Sequence, residues 1–153
     1  MRSLGPGKRD DLHDRASDRN PGPGGHWNDA YDFVRLHQPS ALYGVNSVPL
    51  GQNRKDTTGW NAGFYELATG AEVLDYFKTV MSEHLLPSGR VSFLPETEYV
   101  GDGRLKSVTS GDLQQVNVRR KIVDGTYYGT QVPATHKRKF TVDDGVEIIP
   151  PNA

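Results

Sequence analysis

The residues best placed to do chemistry lie between Asp18 and Ser47, in the run DRNPGPGGHWNDAYDFVRLHQPSALYGVNS. Gly24 and Gly25 have no Cβ, so a ligand can lie close against their backbone. Amides exposed in such a turn form a concavity suited to phosphate. Trp27 would add a flat apolar wall, and Arg35 a bidentate contact to an anion or carboxylate. Asp18, a few residues ahead of the glycines, could accept from ribose hydroxyls. The same run also reads as a glycine-rich turn with a few buried aromatics. A lone glycine pair does not decide between the nucleotide reading and that simpler one.

Other chemistries find little support. The histidines His13, His26, His37, His84 and His136 are scattered, without the close spacing of a zinc site. We therefore expect no metal, and expect His84 at the edge of a helix stripe. The basic clusters Arg119-Arg120-Lys121 and His136-Lys137-Arg138-Lys139 read as solvated faces. There is no Gly-x-Ser-x-Gly elbow and no cysteine, so neither a serine-esterase motif nor a thiol nucleophile is available. No catalytic residue emerges.

Composition bounds the elements that must position this run. Lys plus Arg total 18 and Asp plus Glu 19 in 153 residues. That balance argues against a general nucleic-acid or membrane-surface binder. No apolar run approaches the length of a membrane-spanning helix, and the first residues show no secretory apolar stretch. The expected location is cytoplasmic. Hydrophobic residues are only 35%, with 17 Gly and 10 Pro, which predicts much loop and a thin core.

In residues 1–20 only Met1, Leu4, Leu12 and Ala16 are apolar and charged residues make up most of the rest without period, so the segment is expected to be disordered or poorly anchored. Residues 26–60 read as a long side-chain-rich loop with one helical turn near Pro39–Tyr43. Thr69-x-x-Glu72 has the form of a capping box ahead of Val73, Phe77, Val80, Met81 and His84. The spacing predicts a helix over Ala71–Leu86, ended by Pro87 and packed on the strands that follow. Strands are expected at Arg90–Leu94, at Leu105–Thr109 and Gln115–Val118 as a hairpin, within Arg119–Tyr128 around Ile122 and Val123, and at Val146–Ile149.

Gly24-Gly25-His26-Trp27, then Tyr31, Arg35, Pro39-Ser40 and Tyr43, resemble a run in FAD-dependent oxidoreductases with two dinucleotide-binding domains. The likeness is greatest to flavin-containing and Baeyer–Villiger-type monooxygenases, and to a set of actinobacterial NAD(P)/FAD-dependent oxidoreductases in PGGHW, RLHQPSA and YGVNS. It extends over about Asp18 to Ala153. It implies an α/β fold, part of a Rossmann-like FAD/NAD(P)-binding domain with one amphipathic helix and an antiparallel β-meander. It implies FAD as cofactor, NAD(P)H as reductant and a small-molecule substrate. Gly24, Gly25, His26 and Trp27 would then contact the flavin cofactor, Asp18 its ribose, and Arg35, His37 and Ser40 the pyrophosphate and ring system. At the position of His37 the monooxygenases more often carry Asp.

Two features of the family are missing. No Gly-x-Gly-x-x-Gly occurs anywhere in the chain, and Leu4-Gly5-Pro6-Gly7-Lys8 has the wrong spacing for one. The charged run Leu12–Ser17 also reads as lacking the strand that should lead into Asp18. The resemblance thus implies a portion of a flavoprotein, with residues 1–20 not native to the family and 21–153 the middle of the FAD-binding domain. The competing expectation is a non-enzymatic remnant, or a small β-rich interaction module that uses the aromatic loop.

Overall fold

The computed structural model describes residues 13–126 and 137–151, and its architecture is mixed α/β with one α-helix. That helix, α1 (Gly70–Thr79), begins where the capping box was expected. Thr69 Oγ1 accepts from the Glu72 amide at 3.2 Å, and Glu72 Oε2 accepts from the Thr69 amide at 2.7 Å. Two of the four orphan amides of the first turn are satisfied in this way.

The helical path runs past its expected end. A π-type turn (Val80–Leu85) and a 3-10 turn (Leu86–Ser88) follow α1, and the path stops at Gly89 in the left-handed region, φ 66°. Pro87 falls in the first turn of the 3-10 segment, where its missing amide costs nothing, so it does not end the helix.

The helix packs differently from the expectation. The buried residues Val73 and Tyr76 of α1 and Val80 of the turn after it cluster with Trp27, Leu36 and Leu50 of the long loop and with Ala68, rather than with the meander. Phe77 is half-buried at the edge of this cluster, Met81 is half-buried and His84 is exposed. The loop, not the sheet, supplies the partner surface because its side chains carry the aromatic and aliphatic bulk. Within it lie a 3-10 turn (Gly25–Asp29), a second 3-10 turn (Ser40–Leu42) at the expected helical turn, and a two-residue pairing of β2 (Gly44–Val45) with β3 (Val48–Pro49).

Residues 14–17, expected to be unstructured, form β1 (Asp14–Ser17). It pairs in parallel with β4 (Val91–Leu94), in register from Asp14↔Val91 to Ser17↔Leu94. Both faces of β1 are exposed, so its charged side chains meet no penalty and leave no hydrophobic alternation to read. A parallel pair needs a long crossover, and here the crossover contains the loop and α1. The meander is β5 (Thr97–Tyr99), β6 (Arg104–Ser107) and β7 (Leu113–Gln115), antiparallel in that order. The expected hairpin is β6–β7, with slightly shifted ends, whereas β5 was not foreseen.

No strand forms at 119–126 or 146–149, where Ile122, Val123, Val146, Ile148 and Ile149 are exposed. β-Branched residues there find no partner strand among the described residues, and local propensity alone does not make a strand. Residues 1–12, and the parts of the expected features that fall on 127–136, lie outside the described residues. Among the described residues no helix is long and apolar enough to cross a membrane.

Candidate functional site

The site grows from the carboxyl end of β1. The Asp18 amide donates to the Leu94 carbonyl at 3.1 Å, and the Asp18 carbonyl accepts from the Thr97 amide at 2.9 Å, so the residue is fixed at the end of both parallel strands. Its carboxylate Oδ1 accepts from the amide of Asn20 at 2.9 Å and from Asn20 Nδ2 at 3.0 Å. Asn20 Nδ2 also donates to the Gly25 carbonyl at 3.2 Å, which a second donor, Asn28 Nδ2, reaches at 2.9 Å. One asparagine therefore joins the acid to the glycine turn.

The two glycines play different parts. Gly24 has φ 128°, and a Cβ built there would lie 2.6 Å from Leu74 Cδ2 of α1. It is required by its own backbone and by the close approach of the helix. Gly25 has φ 55°, and nothing lies within 4 Å of where its Cβ would be. Of the pair, Gly25 is the one open to a ligand. Beside the turn, an open groove of about 770 Å³ is lined by Pro21, Pro23, Asn28, Leu74, Phe93 and Pro95. It is chiefly apolar, with Asp75 and Lys78 of α1 among its polar side chains.

The remaining sequence-derived candidates divide between core and surface. Trp27 is buried: its Nε1–H donates to the Tyr43 hydroxyl at 2.8 Å, and its ring faces Gly70 at the start of α1. The exposed His26 stacks on it at 5.5 Å between centroids. Trp27 is thus an anchor for the loop and not an open wall. Ser40 is also buried, its hydroxyl donating to the Glu66 carbonyl at 2.9 Å and accepting from the Ala68 amide at 2.8 Å. That hydroxyl stitches the loop together and does not face solvent.

Arg35 is exposed, pairs with Thr69 in an isolated bridge, and donates from Nη1 to the Leu67 carbonyl at 3.2 Å. His37 is exposed. The structure thus brings Asp18, Gly24 and Gly25 together, with His26 and Trp27 just beyond, and gives Arg35 and Ser40 partners elsewhere in the loop. Sequence reasoning missed Asn20 and Asn28. Their signal was visible, since short amide side chains flanking a glycine turn commonly bond its backbone. Among the described residues no group of three His, Asp or Glu side chains is placed to hold a metal.

Comparison with known proteins adds relatives without assigned roles. An uncharacterized protein of Mycobacterium bovis is 50% identical to this chain over 135 residues, covering 88% of this chain and 25% of the relative. Two uncharacterized proteins from strains of Mycobacterium tuberculosis match with the same identity and coverage. The chain therefore spans about a quarter of the length of these relatives. No family model and no solved structure matches.

Proposed function

We propose that this chain forms the adenosine-side portion of an FAD-binding domain of Rossmann type, in a flavin-dependent, NAD(P)H-linked oxidoreductase related to the monooxygenases. The observation that carries this reading is the position of Asp18. It closes a strand of a parallel β–crossover–β unit and is tied through Asn20 to the Gly24-Gly25 turn. In open α/β sheets, ligands bind beyond the carboxyl ends of the parallel strands, and an acid at such an end accepts from ribose hydroxyls. The residues that fit a dinucleotide are Asp18 toward the ribose and the open backbone face of Gly25. Trp27 and Ser40 act from behind by holding the loop.

When bound, FAD would supply hydride acceptance from NAD(P)H and its onward chemistry with a small-molecule substrate. This chain's own residues bind and orient; none is assigned a proton-transfer role. His37 stands where the monooxygenases more often carry Asp, so the resemblance does not extend their oxygen chemistry to this chain. The reading carries a cytoplasmic location and no nucleic-acid partner.

A second reading, a non-enzymatic module without flavin, is favoured by the lack of a Gly-x-Gly-x-x-Gly sequence to meet the pyrophosphate. The two are separated by amide NMR titrations with ADP and with FMN. The flavin-domain reading expects ADP to shift the Asp18–Trp27 amides and FMN to leave them unmoved. Equal, diffuse shifts with both ligands, or none with either, would favour the second reading.

A further inference from the structure

The loop from Lys55 to Tyr65 is a stiff finger with an aromatic tip. Its two arms are joined by Asp56 N–H donating to the Phe64 carbonyl at 2.9 Å, Gly63 N–H to the Asp56 carbonyl at 2.8 Å and Glu66 N–H to the Arg54 carbonyl at 3.0 Å. Asn61 Nδ2 spans the inside, donating to Asp56 Oδ2 at 2.8 Å and to the Tyr65 carbonyl at 2.9 Å. Its root is fixed where the Ser40 amide meets the Glu66 carbonyl. Yet Trp60 is 77% exposed, Phe64 69% and Tyr65 44%. One ring is partly covered, since Lys55 Nζ lies 5.6 Å from the Tyr65 centroid.

Ordering a loop this tightly while leaving two large aromatics in water is costly unless they are covered in the working state. A rigid loop has little entropy left to lose on binding, and Trp is the residue type most enriched at the energetic centre of interfaces. What covers the tip is indicated by length. The mycobacterial relatives match this chain over most of its length and carry three quarters of their own sequence outside the match. Phe33, Leu42, Val123 and Ile149 are exposed elsewhere on the chain, so the finger is not the only apolar surface awaiting cover.

A second copy of this chain is the weaker occupant. A convex finger entering the open groove beside Leu74 would make a heterologous contact, which propagates into filaments unless it happens to close. We propose that the Trp60–Phe64 finger docks into an apolar recess of the polypeptide that such longer proteins carry outside the matched stretch.

The test needs no flavin, so it stands or falls separately from the function proposed above. The chain is labelled with 5-fluorotryptophan, with Trp60 assigned through Trp60→Phe. It is then mixed with one M. tuberculosis relative from which the matched stretch has been deleted. Light scattering should show a 1:1 complex in which the Trp60 fluorine loses its solvent isotope shift. Trp60→Ala should weaken that complex at least tenfold, while Glu98→Ala, exposed on β5 away from the finger, leaves it unchanged. As a second arm, this chain replaces the matched stretch within the relative. Trp60→Ala should lower the melting temperature of that chimera but not of the free chain. Four results would overturn the proposal: a complex indifferent to Trp60→Ala; a Trp60 that stays solvated within the complex; no complex together with a chimera indifferent to the substitution; or a free chain that dimerises and buries Trp60.

Discussion

The indole N–H of Trp27 donates to the hydroxyl of Tyr43 at 2.8 Å, and the two rings meet edge to face, 6.2 Å between centroids. Through this pair the glycine turn is fastened to the second half of the long loop. Replacing Tyr43 with Phe keeps the ring contact and leaves a buried indole N–H without its partner. We expect a loss of about 1–3 kcal/mol, read from urea unfolding. An unchanged midpoint would show that Trp27 does not anchor the turn.

Tyr76 makes a similar clamp from α1. Its hydroxyl accepts from the Val45 amide at 2.7 Å and donates to the Val48 carbonyl at 2.6 Å, holding the β2–β3 turn on the helix. Gly44 lies directly beneath that hydroxyl with φ 99°, leaving no room for a Cβ. Tyr76→Phe should cost about 1–3 kcal/mol and speed hydrogen exchange at Val45 selectively. Uniform exchange across the loop would contradict the clamp.

The two glycines of the turn should separate stability from binding. Gly24→Ala forces φ 128° on a residue with a Cβ and crowds Leu74, so a cost of about 1–3 kcal/mol is expected. Gly25→Ala, at φ 55° in open space, should cost about 1 kcal/mol. Thermal melts of the two variants check this ordering, and equal losses would refute it.

The Asp124 carboxylate is held below its ordinary range by hydrogen bonds from the Thr126 hydroxyl, and then from the Thr126 amide at 2.8 Å. A lowered carboxylate contributes its bonds above the ordinary value and loses them only as pH falls through the depressed one. The Thr126 amide resonance should therefore titrate with a midpoint below the ordinary aspartate value. A midpoint at or above that value would mean that the turn is not formed in solution.

Legibility in the sequence followed how local the causes were. The capping box at Thr69–Glu72, the 3-10 turn at Ser40–Leu42 and the β6–β7 hairpin are decided within a few residues, and each appeared where expected. β1 was hidden because it is made by pairing with β4, far along the chain, and both its faces meet solvent. Conversely, Ile122 and Val123 had the composition of a strand but find no partner strand among the described residues. In the site, the glycines and Asp18 could be found from residue type. Whether Trp27 and Ser40 faced a ligand or the core depended on which groups lay opposite them. Tyr43, Glu66 and Ala68 supply those groups from 16 to 28 residues away, where no short motif reaches.

The most direct measurement is the affinity of the 153-residue chain for FAD, followed at the Asp18, Asn20 and Gly25 amides by NMR. Pyrophosphate is ordinarily met by glycine-loop amides and a helix N-terminus, and this chain has no Gly-x-Gly-x-x-Gly to supply them. Each charge-assisted contact forgone is worth about 1.5–3 kcal/mol, and about 1.4 kcal/mol is a factor of ten. The account predicts a Kd of about 1 mM, with shifts confined to Asp18–Trp27 and abolished by Asp18→Asn. A Kd at or below about 1 μM would show that this chain holds the pyrophosphate by itself. An absence of shifts at Asp18 and Gly25 under saturating FAD would contradict the dinucleotide site altogether.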